Sequence, residues 1–130
     1  MTNVSFSSSS YSVSPIAGEN RDCAVRALSV AASISYEHAH RLLKAAGRMD
    51  KGSTPHHTIT IAINTSFPEA TLGKSPKRGV PLSQMLLFGY FAKGRYLVVT
   101  GRHALAVVDG VVHDWRYRSK LRVYYFFKFN

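Results

Sequence analysis

The chain has 130 residues, a formal net charge of +10 at pH 7 and one cysteine. With 45% apolar residues, it is long enough for one domain with its own core and too apolar to be largely disordered. A lone cysteine excludes an internal disulfide, and the sequence contains neither an apolar run of about 18 residues nor the pattern of a secretory signal. We therefore expect a cytoplasmic protein without a membrane span.

The N-terminal segment is rich in serine and includes four consecutive serines. This composition is typical of a flexible arm, although Phe6, Tyr11 and Val13 would allow part of it to pack as a strand. We predict a flexible arm over residues 1–18, followed by a single domain over residues 19–130.

Helical signals dominate the first part of this domain. Asp22 is a favourable N-cap for a helix over residues 23–33, whose small apolar side chains recur on one face. Ser35 is a favourable N-cap for a second helix, which would start at Tyr36 and end near Gly47.

The middle of the chain combines helix and loop signals. Thr54 and Pro55 predict a helix start, while the β-branched residues over 58–63 leave helix and strand open. Residues 67–80 contain two prolines and two glycines, which predicts a loop. Pro81 would then open a short apolar helix.

The last third of the chain predicts β-structure. Asp109 and Gly110 favour a tight two-residue hairpin turn, because both residue types adopt positive φ readily. Helices followed by antiparallel strands predict an α+β fold, in which the helix that begins at Cys23 packs centrally on the sheet. The four predicted strands cover residues 96–100, 104–108, 111–115 and 121–129.

The only cysteine stands at the predicted N-terminus of a helix. Free N–H groups and the helix dipole would favour negative charge on the Cys23 sulfur, and the thiolate is the reactive form of a thiol. A lone cysteine in an alanine-rich helix is also commonly a small buried apolar residue. A second functional group is therefore needed to identify a thiol site.

The predicted hairpin supplies that group. Its turn pairs Val108 with Val111, which makes His103 and Asp114 diagonal neighbours on one face of the sheet. The carboxylate would hold the imidazole in one tautomer and stabilise its protonated form. Together with Cys23, these side chains are the parts of a thiol hydrolase.

Acyl transfer also requires hydrogen-bond donors for the developing oxyanion. The backbone N–H of Cys23 is one candidate donor. The side chain of Asn20 is the other, although asparagine is equally typical of a turn before a helix.

Two segments, residues 20–28 and 101–114, resemble the papain-like cysteine peptidases. The similarity is greatest to small phage-encoded proteins and to peptidase domains that process bacteriocins. It implies a papain-like domain with the first helix at its centre and the later strands as its antiparallel sheet. It also implies a protein or peptide substrate, and because 130 residues leave little room for an extensive substrate-binding domain, we expect one specific substrate. An isopeptidase, an amidase or an acyltransferase would use the same residues. We expect no cofactor and, if the chain is phage-encoded, a location in the cytoplasm of the bacterial host.

The resemblance also implies a role for each candidate residue. Cys23 would be the nucleophile, His103 the general base and acid, and Asp114 the orienting group. Papain-like enzymes usually carry a glutamine six residues before the cysteine, whereas this chain has Ala17 there. The assignment of Asn20 as the side-chain donor of the oxyanion hole therefore rests on its position three residues before Cys23 and not on the resemblance.

The positive charge leaves a second function open. A non-catalytic protein on the same scaffold could bind nucleic acid or an acidic host protein through its basic surface. The basic residues cluster at Lys74, Lys77 and Arg78, at Lys93 and Arg95, and at Arg116, Arg118, Lys120 and Arg122.

The histidines suggest a third hypothesis, that the protein binds a metal ion. The candidate ligands are His56, His57, His103 and His113. Adjacent histidines do not easily bind one ion together, and no second cysteine is available. We therefore expect no metal, and from the lack of a long apolar run we expect no membrane partner.

Overall fold

The computed structural model describes residues 6–8, 21–76 and 79–129. Within these ranges the chain forms four helices and a seven-stranded, mostly antiparallel sheet, so the predicted α+β class is confirmed. No helix in this described part is long and apolar enough to cross a bilayer. In chain order, the elements are β1 (Phe6–Ser7), α1 (Cys23–Ala32), α2 (Tyr36–Ala45), α3 (His56–Ser66), β2 (Thr71–Lys74), β3 (Val80–Pro81), α4 (Leu82–Leu87), β4 (Arg95–Thr100), β5 (Ala104–Val108), β6 (Val111–His113) and β7 (Arg122–Phe129).

The sheet is ordered β1-β6-β5-β4-β7-β2, and the short β3 also pairs with β7. All pairings are antiparallel except that of β1 with β6. The turn at Asp109 and Gly110 joins β5 to β6, and both residues have positive φ. Val108 pairs with Val111, so the predicted register of this hairpin is confirmed.

Both faces of the central strands are buried, since consecutive side chains point to opposite sides of a sheet. On one face, Leu97 and Val99 pack with α1, α2 and α3. On the other face, Tyr96 and Val98 pack with α4 and with the buried ring of Phe91. The sheet is thus the middle layer, and α1 rests directly on β4 and β5.

The C-terminus of α1 is held to the sheet by a basic side chain. The Arg95 guanidinium donates to the carbonyls of Ala31 and Val30, at 3.0 and 2.6 Å. These carbonyls lie in the last turn of the helix, where a positive charge is favourable. This contact fixes α1 relative to β4 and thereby the orientation of its N-terminal end.

The prediction of a loop over residues 67–80 is wrong for Thr71–Lys74, which form β2 along the edge of β7. Glycine in a strand usually weakens it, but Gly73 lies under the Phe126 ring, where a Cβ atom would come within 2.3 Å of the ring carbons. The pairing therefore depends on a contact between residues far apart in the sequence. The ambiguous segment over residues 58–63 is helical and belongs to α3.

Only part of the predicted N-terminal arm falls within the described residues. Phe6–Ser7 form β1 and pair in parallel with Val112 and His113. The strand at Phe6 agrees with the prediction that this residue allows part of the arm to pack as a strand. Tyr11 and Val13 lie outside the described residues.

Candidate active site

Cys23 is the first residue of α1 and is half-buried. The residues that follow it anchor the helix, because Ala24, Val25, Ala27 and Leu28 are almost completely buried in the core. The small alanine side chains let the helix approach β4 and β5 closely. The thiol is therefore held at the rim of a rigid helix rather than in the centre of the core.

Asp22 is the N-cap residue by position, but the prediction that its side chain caps the helix is wrong. Its carboxylate instead accepts hydrogen bonds from Arg26 Nε at 3.1 Å and from the Tyr36 hydroxyl at 2.7 Å. Two partners, one of them on α2, outweigh the local preference for capping. As a result, the Asp22 side chain makes no hydrogen bond to the N–H groups of the first turn, which lie beside Cys23 where an anion is favourable.

His103 lies in the tight connection between β4 and β5, immediately before β5 begins. Its carbonyl accepts hydrogen bonds from the backbone N–H of Thr100 at 2.8 Å and from the Thr100 hydroxyl at 2.9 Å. Thr100 is itself buried. These bonds close the turn and fix the direction in which the imidazole leaves the backbone.

Asp114 follows the last residue of β6 and is 2% exposed. Its Oδ2 lies 2.7 Å from His103 Nε2, and its Oδ1 accepts the backbone N–H of Trp115 at 2.8 Å. The contact between imidazole and carboxylate predicted from the hairpin register is therefore present. Both carboxylate oxygens are satisfied, which offsets the cost of burying the charge.

The surroundings of His103 favour its protonated form. Burial alone would lower its pKa, but the hydrogen bond to Asp114 and the interaction with the Cys23 side chain, together with the electrostatic effect of both groups, raise it from 6.5 to about 9. Since Nε2 faces Asp114, Nδ1 is the ring nitrogen left for Cys23. This geometry suits an imidazolium that stabilises a thiolate.

Trp115 and Arg26 form a wall beside the imidazole. The Trp115 ring centroid lies 6.3 Å from that of His103, and the Arg26 guanidinium carbon lies 5.2 Å from the Trp115 centroid. The same guanidinium is 5.7 Å from the Tyr36 ring centroid and bonds Asp22. Through Arg26, one network of side chains thus connects Asp22, at the start of α1, with Trp115, in the segment after β6.

A cavity of about 630 Å³ opens over Cys23 and His103. Its walls come from the start of α1, from the loop before α3 and from the turn after β4. Cationic side chains border it, whereas Asp22 is the only acidic residue among its described lining residues. The lining includes Arg21, Asp22, Ser53, Thr54, His56, Arg102, Trp115 and Arg118.

The remaining candidates have other positions. Asn20 lies outside the described residues. Asp109 is in the hairpin turn, where its carboxylate accepts the Gly94 N–H at 2.8 Å, and it is not near His103. Burial and the charge of Arg95 lower the pKa of His113. Among the described residues, no group of three or more His, Cys, Asp or Glu side chains could hold a metal ion.

Several residues that line or support the cavity were not predicted in this role, namely Arg26, Tyr36, Trp115 and His56, the last of which was considered only as a metal ligand. The Asp22–Arg26 pair has a signal, since an acid and a base four residues apart face each other on a helix. Tyr36 and Trp115 meet Arg26 only through the packing of α2 and of the segment after β6. His56 borders the cavity and has its ring centroid 5.6 Å from that of Tyr125.

No family model, curated protein or solved structure matches this chain.

Proposed function

We propose that this protein is a cysteine hydrolase, most specifically a peptidase that cleaves a protein or peptide substrate. The observation that carries this proposal is that His103 bonds Asp114 and lines the same open cavity as Cys23, whose side chain also helps to raise the pKa of His103. A buried carboxylate, an oriented imidazole and a half-buried thiol are the arrangement that thiol acylation requires. The resemblance to the papain-like peptidases in the segments around Cys23 and His103 supports the same reaction.

In the first half of the proposed reaction, the Cys23 thiolate attacks the substrate carbonyl carbon and forms a carbon–sulfur bond. The carbonyl electrons move to oxygen, and the N–H groups at the start of α1, that of Cys23 first, would stabilise this oxyanion. The oxyanion then collapses, the carbon–nitrogen bond breaks, and His103 Nδ1 gives its proton to the leaving amine. The product is an amine and a thioester on Cys23.

In the second half, neutral His103 takes a proton from a water molecule that attacks the thioester carbonyl. The carbon–sulfur bond breaks, the acid product leaves, and the thiolate and imidazolium are restored. Asp114 keeps the proton on Nε2 throughout, so that Nδ1 faces the reacting groups. Asp114 is therefore a positioning residue in this scheme.

Acylation by p-nitrophenyl acetate tests this proposal without knowledge of the natural substrate. We expect acetylation of Cys23, followed by hydrolysis of the thioester, and much slower acetylation in His103→Ala. Lys93→Gln is the control, because Lys93 is exposed and lies beyond the opposite end of β4 from His103. Acetylation of Cys23 no faster than that of glutathione, or at a rate indifferent to His103, would refute the proposal.

A non-catalytic binding protein is the second candidate. The observation that favours it is the set of exposed cations near the cavity, among which Arg102, Arg118 and Lys120 have no carboxylate partner within the described ranges. Such a protein would retain its binding affinity in Cys23→Ala, whereas the peptidase would lose all turnover. Measuring both turnover and binding affinity in Cys23→Ala therefore distinguishes a peptidase from a binding protein.

A further inference from the structure

A second cavity, of about 440 Å³, adjoins the cavity over Cys23. The two share the turn after β4, so that Arg102 and His103 line both, and Arg118 borders both from the other side. The second cavity extends from the imidazole along the start of β7. An extended substrate with its carbonyl at Cys23 would have room to continue into it.

The second cavity is strongly cationic. Arg102, Arg118, Lys120 and Arg122 line it, and its described lining includes no acidic residue. Arg102, Arg118 and Lys120 are exposed and have no carboxylate partner in the described part of the chain. Several like charges around one concave surface repel one another, and an anionic ligand bound between them would offset this repulsion.

Part of this charged surface is held in place. Arg122 Nη1 donates to the Gly79 carbonyl at 2.7 Å, which fixes the side chain against the loop before β3. The half-buried Tyr124 forms a neighbouring part of the lining. An arginine side chain that is already positioned loses less conformational freedom when it binds an anion.

The shape and lining favour acidic side chains over a nucleic acid strand. A cavity of about 440 Å³ accommodates a few side chains, whereas a nucleic acid backbone is tracked by a longer groove. Single-stranded nucleic acids are also held by aromatic side chains that stack on successive bases. Tyr124 is the only aromatic residue in the described lining, and it is half-buried.

We propose that the second cavity selects the substrate by binding carboxylate side chains of a peptide next to the bond that Cys23 attacks. This inference rests on the proposed peptidase function and adds its substrate class, acidic peptides. Arg118 and Lys120 are the proposed specificity-determining residues. Arg118 is the more important of the two because it borders both cavities.

Two chloroacetylated peptides of equal length, one rich in Glu and its Gln counterpart, test the inference. Each alkylates Cys23 by forming a carbon–sulfur bond with loss of chloride, and the rate is measured by intact mass spectrometry. We expect the Glu peptide to react about tenfold faster at low salt, since each exposed charge pair contributes a few-fold. High salt should reduce this ratio to near one, and the double variant Arg118→Gln/Lys120→Gln should reduce it to a few-fold or less, because Arg102 and Arg122 still line the cavity.

The control is Lys93→Gln/Lys128→Gln, which removes the same charge near the far end of β4 and should keep the tenfold ratio. Equal rates for the two peptides, with both slowed in His103→Ala, would overturn the acidic specificity and leave the thiol site intact. Rates no faster than those of glutathione, and unchanged in His103→Ala, would overturn the proposed function itself. Stronger protection of Cys23 by a single-stranded oligonucleotide than by an unreactive Glu peptide would overturn the inference in favour of nucleic acid.

Discussion

Replacing Asp114 by Asn tests whether the carboxylate controls the protonation of His103. Asn has nearly the same shape, and its Oδ1 can still accept the N–H of Trp115, so the segment after β6 should keep its conformation. Its amide nitrogen, however, would face His103 Nε2 and donate a hydrogen bond to it. In the neutral ring, the proton would then be on Nδ1. With Nδ1 already protonated and Nε2 bonded to the Asn amide, the ring could not accept a proton from Cys23.

The magnitude follows from the pKa of His103, which is raised from 6.5 to about 9. This difference corresponds to roughly 3 kcal/mol in favour of the imidazolium in the folded protein. The hydrogen bond to Asp114 is the largest of the causes that raise the pKa, while burial opposes them. Without the carboxylate, we expect the pKa of His103 to fall by about 1–3 pH units.

The sign of the pH dependence follows from the same shift. Because the pKa of His103 is higher in the folded than in the unfolded chain, its stabilising contribution is complete below pH 6.5. It is lost as the pH rises through about 9. The free energy of unfolding of the wild type should therefore decrease by up to roughly 3 kcal/mol over this range through His103. In Asp114→Asn, the free energy of unfolding should change much less over the same pH range.

The assay is urea unfolding at a series of pH values, combined with an NMR titration of the His103 imidazole. Asp109→Asn is the matched control, since it makes the same chemical change in the hairpin turn, away from His103. This control should retain the pH dependence of the wild type. Equal pH dependence in the wild type and Asp114→Asn, or a wild-type imidazole that titrates near 6.5, would refute the reasoning.

Three further predictions concern the framework around the site, and urea unfolding measures each of them. Arg95→Gln removes two hydrogen bonds to the C-terminus of α1 and should cost about 1–3 kcal/mol, so unchanged stability would contradict that role. Gly73→Ala places a methyl group against the Phe126 ring and should lower the free energy of unfolding by about 1–3 kcal/mol, while Cys23 keeps its reactivity. Unchanged stability would show that the Phe126 ring can move aside at little cost. Arg26→Met removes the ion-pair partner of the buried Asp22 and should lower the free energy of unfolding by about 3–5 kcal/mol. Adding Asp22→Asn should recover part of this loss, because it removes the buried charge that Arg26→Met leaves unpaired. If the double variant is no more stable than Arg26→Met, the loss does not come from a buried charge.

The parts of the site that local sequence rules control were predictable. The turn at Asp109 and Gly110 allows one register, and this register brings His103 and Asp114 together. The start of α1 at Cys23 likewise follows from a local change to an apolar helical pattern. Both features depend on residues that are close in the chain.

The parts that depend on distant contacts were not predictable. The Asp22 side chain has a local preference to cap α1, but Arg26 and Tyr36 bind it instead. The β2 strand contains a glycine and becomes ordered through pairing with β7, which is remote in the sequence. The cationic cavity likewise combines Arg102 with Arg118 and Lys120, and no single segment of the sequence contains all three.

The most direct test of the thiol site is the pH dependence of Cys23 alkylation by iodoacetamide in the wild type and in His103→Ala. We predict rapid labelling near neutral pH in the wild type, because a protonated His103 stabilises the thiolate, and a large loss of that rate in the variant. Slow labelling that increases only at alkaline pH, with the same profile in both proteins, would contradict it. Such a result would leave Cys23 as a structural residue at the start of α1.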